Sequence, residues 1–200
     1  MRQPKPQKKY RYGFKKWSDE TSVDFRKKLN LKATDYLCAF KLCDYLKIPL
    51  LVPSKIEGLK GDHLENLLGD GSNHWSAASI PVGNGKFIIV HNPTHSPARQ
   101  QSNLMHELAH IICKHEIPEE KTKIGLSGFL RNHDEQQENE AEWLGGCLQL
   151  PKEALFWALK SGMQEDKIAE HFNASKEMVR FRTNISGVKK RLSYLKKKRL

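Results

Sequence analysis

Apolar residues recur at three- and four-residue steps through "TDYLCAFKLCDYLKI", at Tyr36, Leu37, Phe40, Cys43 and Leu46. That period keeps one helix face apolar, and it predicts a helix from a Thr34 cap to about Ile48, ended by Pro49. Another helix is expected before it, over Ser18–Leu29. "PLLVP", a short apolar run between prolines, reads as a strand, and "EGLKGDHLENLLGDGSNH" as a helical segment closed by Gly69, Asp70 and Gly71. In "WSAASIPVGNGKFIIVHN" two β-prone runs flank Gly83-Asn84-Gly85, which predicts a hairpin with "KFIIVH" as a buried strand. The chain then turns through "NPTHSPARQ" into a helix, with Ser96 suited to its cap and Pro97 to its first position. A further helix runs from about Glu135 to Leu150 and stops at Pro151, packing through Trp143, Leu144, Cys147, Leu148 and Leu150. Inside it Gly145-Gly146 lowers helix propensity, which predicts a close approach to a neighbour, the helix that follows Pro97 being the natural one.

Composition adds an uneven charge. The 200 residues carry a formal net charge of +11, from 34 Lys and Arg against 23 Asp and Glu. Seven of the basic residues fall in 1–16 and seven in 189–200, with no acidic residue in either stretch, so the body between is mildly acidic. Both ends are expected to be unstructured basic tails, able to hold nucleic acid or an acidic partner weakly. No run is long and apolar enough for a signal peptide or a membrane helix, which places the chain in the cytoplasm. The four cysteines, Cys38, Cys43, Cys113 and Cys147, show no C-x-x-C spacing and are expected as reduced core thiols.

The chemistry lies in "LMHELAHIICKHE". On a helix, His106 and His110 project from the same side, so both rings can reach one metal ion. Glu107 is rotated from them and can reach a water beside the metal. This is the H-E-x-x-H pattern of zinc peptidases, with two ligands and a general base. Zinc of this type takes a third protein ligand. The chain has no histidine at the tenth residue after His106, so the third ligand is sought on the later helix, among Glu138, Glu140 and Glu142. Glu138 and Glu142 share a face and Glu140 points elsewhere; spacing does not choose among them. His115 lies beyond the motif by more than a turn and reads as a helix-end cation. His91, His95 and His133 are candidates for stabilising an oxyanion.

Downstream, "EDKIAEHFNASKEMVRFRTNISGVKKRL" reads as helix, tight turn, helix. Asn173 suits the left-handed turn position and Ser175 the cap, while Lys176, Arg180 and Arg182 make the second helix basic. The unit either enters a DNA groove or docks on the rest of the chain, and docking is the favoured reading.

"HELAH" followed by "ENEAEWLGGCLQLP", with "FIIVHNPTHSPARQQSNLM" upstream, resembles the ImmA/IrrE-type metallopeptidase family over about residues 25–190. The resemblance implies zinc held by His106, His110 and Glu140, with Glu107 as base. Where many members carry Asn-x-Phe this chain has Glu142-Trp143-Leu144, which keeps Glu142 as the alternative ligand. It further implies a regulatory peptidase acting on a protein substrate, a transcriptional repressor, in phage, mobile-element or stress control. Two other functions stay open: a zinc-stabilised binding protein that relieves a repressor without cleavage, and a DNA-binding regulator. The expected fold is α+β, a small antiparallel sheet packed on a zinc-bearing helix pair. The expected organisation is a tail over 1–16, the peptidase domain over 17–160, the helix-turn-helix-like unit over 161–188 and a second tail over 189–200.

Overall fold

The computed structural model describes residues 9–59, 61–115 and 134–198. In chain order the helices are α1 (Phe14–Lys28), α2 (Ala39–Tyr45), α3 (Asp62–Leu68), α4 (Pro97–Cys113), α5 (Glu135–Gln149), α6 (Lys152–Lys160), α7 (Glu165–His171), α8 (Lys176–Ile185) and α9 (Val188–Lys197). Three short strands, β1 (Leu50–Leu51), β2 (Ala77–Pro81) and β3 (Phe87–His91), make one sheet in the order β1-β3-β2. The fold is α+β, as the sequence predicts.

The hairpin forms where Gly83-Asn84-Gly85 puts it. All three residues have positive φ, which Gly and Asn adopt most readily, and β2 pairs antiparallel with β3 from Ala77↔His91 to Pro81↔Phe87. The sheet is mixed rather than wholly antiparallel, because β1 joins β3 in parallel, Leu50 opposite Ile89. Helix α3, two short 3-10 turns and β2 lie between β1 and β3, enough chain for the crossover that parallel pairing requires.

Helix α2 is shorter than its apolar period predicts and begins at Ala39, not at Thr34. Two long-range hydrogen bonds favour the non-helical path before it. The Asp35 carbonyl accepts from Arg26 Nε at 2.9 Å, and the Ala39 N–H donates to Gln101 Oε1 on α4 at 2.7 Å. Leu37 is fully buried all the same, so the apolar pattern reports burial here more than helix.

Two apolar clusters fill the interior. One joins α1, α2, β3, α4 and α5 through residues such as Phe25, Leu42, Ile89, Leu104, Leu108 and Leu144. The other joins Leu150 to α6, α7, α8 and Val188 of α9. Cys43, Cys113 and Cys147 are buried free thiols, each pushed up to about 12 with burial as the first cause, while Cys38 is half-buried.

The tails expected over 1–16 and 189–200 are corrected by the described residues. Tyr10 packs edge-on against Trp143 at 5.4 Å, and Arg11 is bonded to α5. Residues 188–197 are helical, with Arg191 paired to Glu153 at 2.8 Å. Residues 1–8, 199 and 200 lie outside the described residues. So does the 116–133 segment, which carries His133.

The helix pair α7–α8 turns at Asn173 (φ 45°), and Ser175 Oγ accepts from Met178 N at 3.1 Å. Its basic residues are engaged within the chain. Lys176 pairs with Asp166 and Arg180 with Glu165, each at 2.8 Å. Arg182 is fully buried and donates to the Leu150 carbonyl at the end of α5.

Candidate metal centre

Helix α4 is fixed at both ends. Ser96 caps it, Pro97 takes the first position, and Lys114 in the left-handed conformation ends it. Leu104, Met105, Leu108 and Ala109 are its fully buried residues, which turns His106, Glu107 and His110 along one flank. Helix α5 starts with Asp134 Oδ1 accepting from Gln136 N at 2.8 Å. It then runs along α4 in the most extensive helix pairing among the described residues. Gly145 makes the close approach that its sequence context predicts, its backbone lying against Met105 and His106.

The pairing brings three donor side chains together. His106 Nε2 and His110 Nε2 stand 3.1 Å apart. Each is 3.3 Å from a carboxylate oxygen of Glu138. Among the described residues, these three form the group of His, Cys, Asp and Glu whose ligand atoms converge tightly enough to hold a metal ion. The spacing is compatible with zinc. Donors about 2.0–2.1 Å from a tetrahedral centre lie roughly 3.4 Å from one another, close to the separations found here. Two imidazoles and a carboxylate are also the donor set of several catalytic zinc sites.

Burial works against charging His106, but its hydrogen bond to Glu138 and the nearby carboxylates of Glu107, Glu138 and Glu142 outweigh it and raise its pKa. The acidic groups thus make the cluster attractive to a cation. Glu107 is steadied from the sheet: its Oε2 accepts the backbone N–H of Ser79 on β2 at 2.8 Å.

The third ligand implied by the family resemblance, Glu140, is not brought to His106 Nε2 and His110 Nε2; Glu138 is. Glu140 is 1% exposed and faces the other way around α5. Its Oε1 accepts from Arg11 N (2.8 Å) and Gln136 Nε2 (3.2 Å), while its Oε2 lies 2.8 Å from Arg11 Nε and 3.3 Å from His115 Nε2. The alternative, Glu142, is exposed. Nor is His115 a solvated helix-end cation. Its side chain is 6% exposed, and its Nδ1 lies 2.9 Å from His110 Nδ1. Burial, then the neighbouring His110, lowers its pKa, against the pull of Glu140.

Of the candidates for stabilising an oxyanion, His91 is buried against Phe40, and His95 is bracketed by Asn92 and Asn103 at the start of α4. Neither appears in the metal-holding group.

The model of peptidase family M78, described as the IrrE N-terminal-like domain, matches residues 66–184, more than half of the chain. The chain belongs to this family. The matched span takes in the hairpin, α4 and α5 with the whole donor cluster, and α6 to most of α8. Arg11 and α1 lie outside the matched span. No curated protein and no solved structure matches the chain. Among the described residues no helix is long and apolar enough to cross a membrane.

Proposed function

We propose that the protein is a zinc-dependent regulatory metallopeptidase of the cytoplasm, and that its zinc ligands are His106, His110 and Glu138, with Glu107 as the general base. The convergence of these three donors on one point carries the reading. It replaces Glu140 in the expected ligand set, because Glu140's acceptor positions are taken by Arg11, Gln136 and His115.

A zinc ion held by His106, His110 and Glu138 would supply Lewis acidity for the scissile carbonyl and the attacking water. The protein's own part in the reaction is done by Glu107. With one oxygen fixed by the Ser79 N–H, its carboxylate is held in a single orientation beside the histidine pair. It takes the proton of the attacking water and delivers it to the leaving amine. Ser79 lies on β2, at the edge of the sheet, so the hairpin positions the base. The substrate we propose is a transcriptional repressor encoded near the protein's own gene. Lys176, Arg180 and Arg182 are engaged internally, which favours a docking role for α7–α8 over a DNA-reading one.

Elemental analysis of the purified full chain tests the ligand set. About one zinc per chain is expected in wild type, with loss in Glu138→Ala. Incubation with the neighbouring repressor tests the activity: a discrete cleavage is expected from wild type and none from Glu107→Gln. A repressor released from DNA equally by both proteins, with no cleavage, would instead make the protein a binder.

A further inference from the structure

The family's zinc chemistry needs two histidines and a carboxylate, and it leaves unexplained a polar chain behind one of the ligands, buried at His115 and Glu140 and half exposed at Arg11. That chain runs from His110 Nδ1 to His115 Nδ1 (2.9 Å), from His115 Nε2 to Glu140 Oε2 (3.3 Å), and from Glu140 to Arg11 on the N-terminal segment (2.8 Å). We propose that His115 is a positioning residue for the metal centre: it fixes the ring of His110 from behind, and is itself fixed by Glu140 under the clasp of Arg11.

With His110 Nε2 as the ligand atom, these contacts imply a definite proton arrangement. For His110 to offer Nε2 as a lone pair, its proton must sit on Nδ1, where it donates to His115 Nδ1. That atom must then be unprotonated, so the His115 proton sits on Nε2 and donates to Glu140. Glu140 is then an acceptor throughout. Its two oxygens offer about four acceptor sites, and four donors meet them: Arg11 N, Gln136 Nε2, Arg11 Nε and His115 Nε2. Outer partners of this kind set the tautomer and orientation of a metal-bound histidine. What is particular here is that an imidazole carries the contact and an N-terminal arm, outside the matched family span, completes it.

The inference rests on the proposed ligand set, and the experiment separates the two. Zinc affinity of the full-length chain is measured by competition with a chromophoric chelator, for wild type, Glu138→Ala, His115→Ala, His115→Gln and Glu140→Gln. Thermal melting of each apo protein checks folding. Tight binding by wild type with near-complete loss in Glu138→Ala upholds the ligand set. His115→Ala and Glu140→Gln are then expected to bind roughly 10- to 100-fold more weakly. His115→Gln, which keeps an acceptor and a donor on one planar group, is expected to recover part of the loss. Affinities within twofold of wild type for His115→Ala and Glu140→Gln overturn the positioning role while leaving the zinc site standing. A wild type that binds no zinc defeats both. A second readout does not depend on any variant folding. Imidazole 15N shifts of the zinc-loaded wild type should place the His115 proton on Nε2 and that of His110 on Nδ1; a proton on His115 Nδ1 overturns the proposal.

Discussion

Gly145 of α5 lies directly against the backbone of His106 on α4: a Cβ at position 145 would sit 3.2 Å from His106 N and 3.1 Å from the Met105 carbonyl oxygen. The obstacle is backbone in the middle of a helix, which cannot swing aside as a side chain would. Gly145→Ala is therefore expected to push α5 away from α4. It should destabilise the fold by about 1–3 kcal/mol, the usual range for overpacking a tight contact, despite the better helix propensity of alanine. Because Glu138 reaches the histidines from the same helix, zinc affinity should fall as well. Urea unfolding and chelator competition on one preparation check both; unchanged values on both counts would mean the helices are free to separate.

Glu107 touches the sheet rather than the donor cluster, and this sets what its loss does. Glu107→Gln keeps a side-chain oxygen for the Ser79 N–H but removes the base. Zinc content is expected to stay at the wild-type level, while cleavage of the repressor slows by roughly 10²–10⁴-fold, the usual contribution of a general base. Elemental analysis beside a gel-based cleavage assay measures the two.

The contact that places Gly145 also explains which parts of the site could be read from the sequence. Histidines four apart on an amphipathic helix announce themselves, and so does a hairpin turn with Gly83-Asn84-Gly85 at its centre. The third donor did not follow from spacing among Glu138, Glu140 and Glu142, yet one signal was there. Glu138 precedes Gly145 by seven residues, and positions seven apart return to within about 20° of the same face of a helix. If Gly145 faces α4, Glu138 does too, whereas Glu140 turns away. No local pattern could reveal the role of His115 or Arg11. Arg11 and Glu140 are 129 residues apart, and their contact exists only once α1 has packed on α5. The start of α2 at Ala39 escaped prediction for the same reason, since Arg26 and Gln101 decide it from a distance.

Arg26 is a fully buried cation held by backbone carbonyls. Its Nε donates to Asp35 O, one terminal nitrogen to Ser22 O at 3.1 Å, and the other to Leu148 O at 2.8 Å. Burial lowers its pKa to about 10, so it remains charged at neutral pH. It ties α1 and the segment before α2 to the C-terminal carbonyls of α5. Arg26→Ala leaves those carbonyls unpaired and a cavity behind them. The expected cost is about 3–5 kcal/mol, as for removing one partner of a buried charged network, read as a lower denaturant midpoint. A loss below about 1 kcal/mol would show that water replaces the guanidinium adequately.

The basic residues of α8 and α9 differ in what they can offer nucleic acid. Lys176 and Arg180 are paired with Asp166 and Glu165, whereas Lys190 and Lys197 are exposed on α9 and Lys198 just after it. Binding to a random duplex should therefore be weak, steeply salt-dependent and carried by α9. Fluorescence anisotropy at low salt should show Lys190→Gln/Lys197→Gln/Lys198→Gln weakening it more than Lys176→Ala/Arg180→Ala. The opposite ranking would point to α8 as a reading helix.

Protonation of His91 should destabilise the fold on the acid side. Its ring is buried against Phe40, and its Nδ1 meets no hydrogen-bond partner among the described residues. Burial lowers its pKa from the ordinary 6.5. The unfolded chain then binds this proton more readily than the folded one, so stability rises with pH across the gap between the two values. Above about pH 6.5 the group is neutral in both states and contributes no pH dependence. Below it the penalty grows as pH falls, and it levels off once the folded pKa is passed. Replacing the ring by His91→Phe keeps an aromatic contact with Phe40 and removes the titration. Thermal melting in chelator, from about pH 7.5 to about 5, should therefore show wild type losing stability faster than His91→Phe, with the two curves diverging only below about pH 6.5. Parallel curves would mean that the protonated ring finds water or a carbonyl without cost.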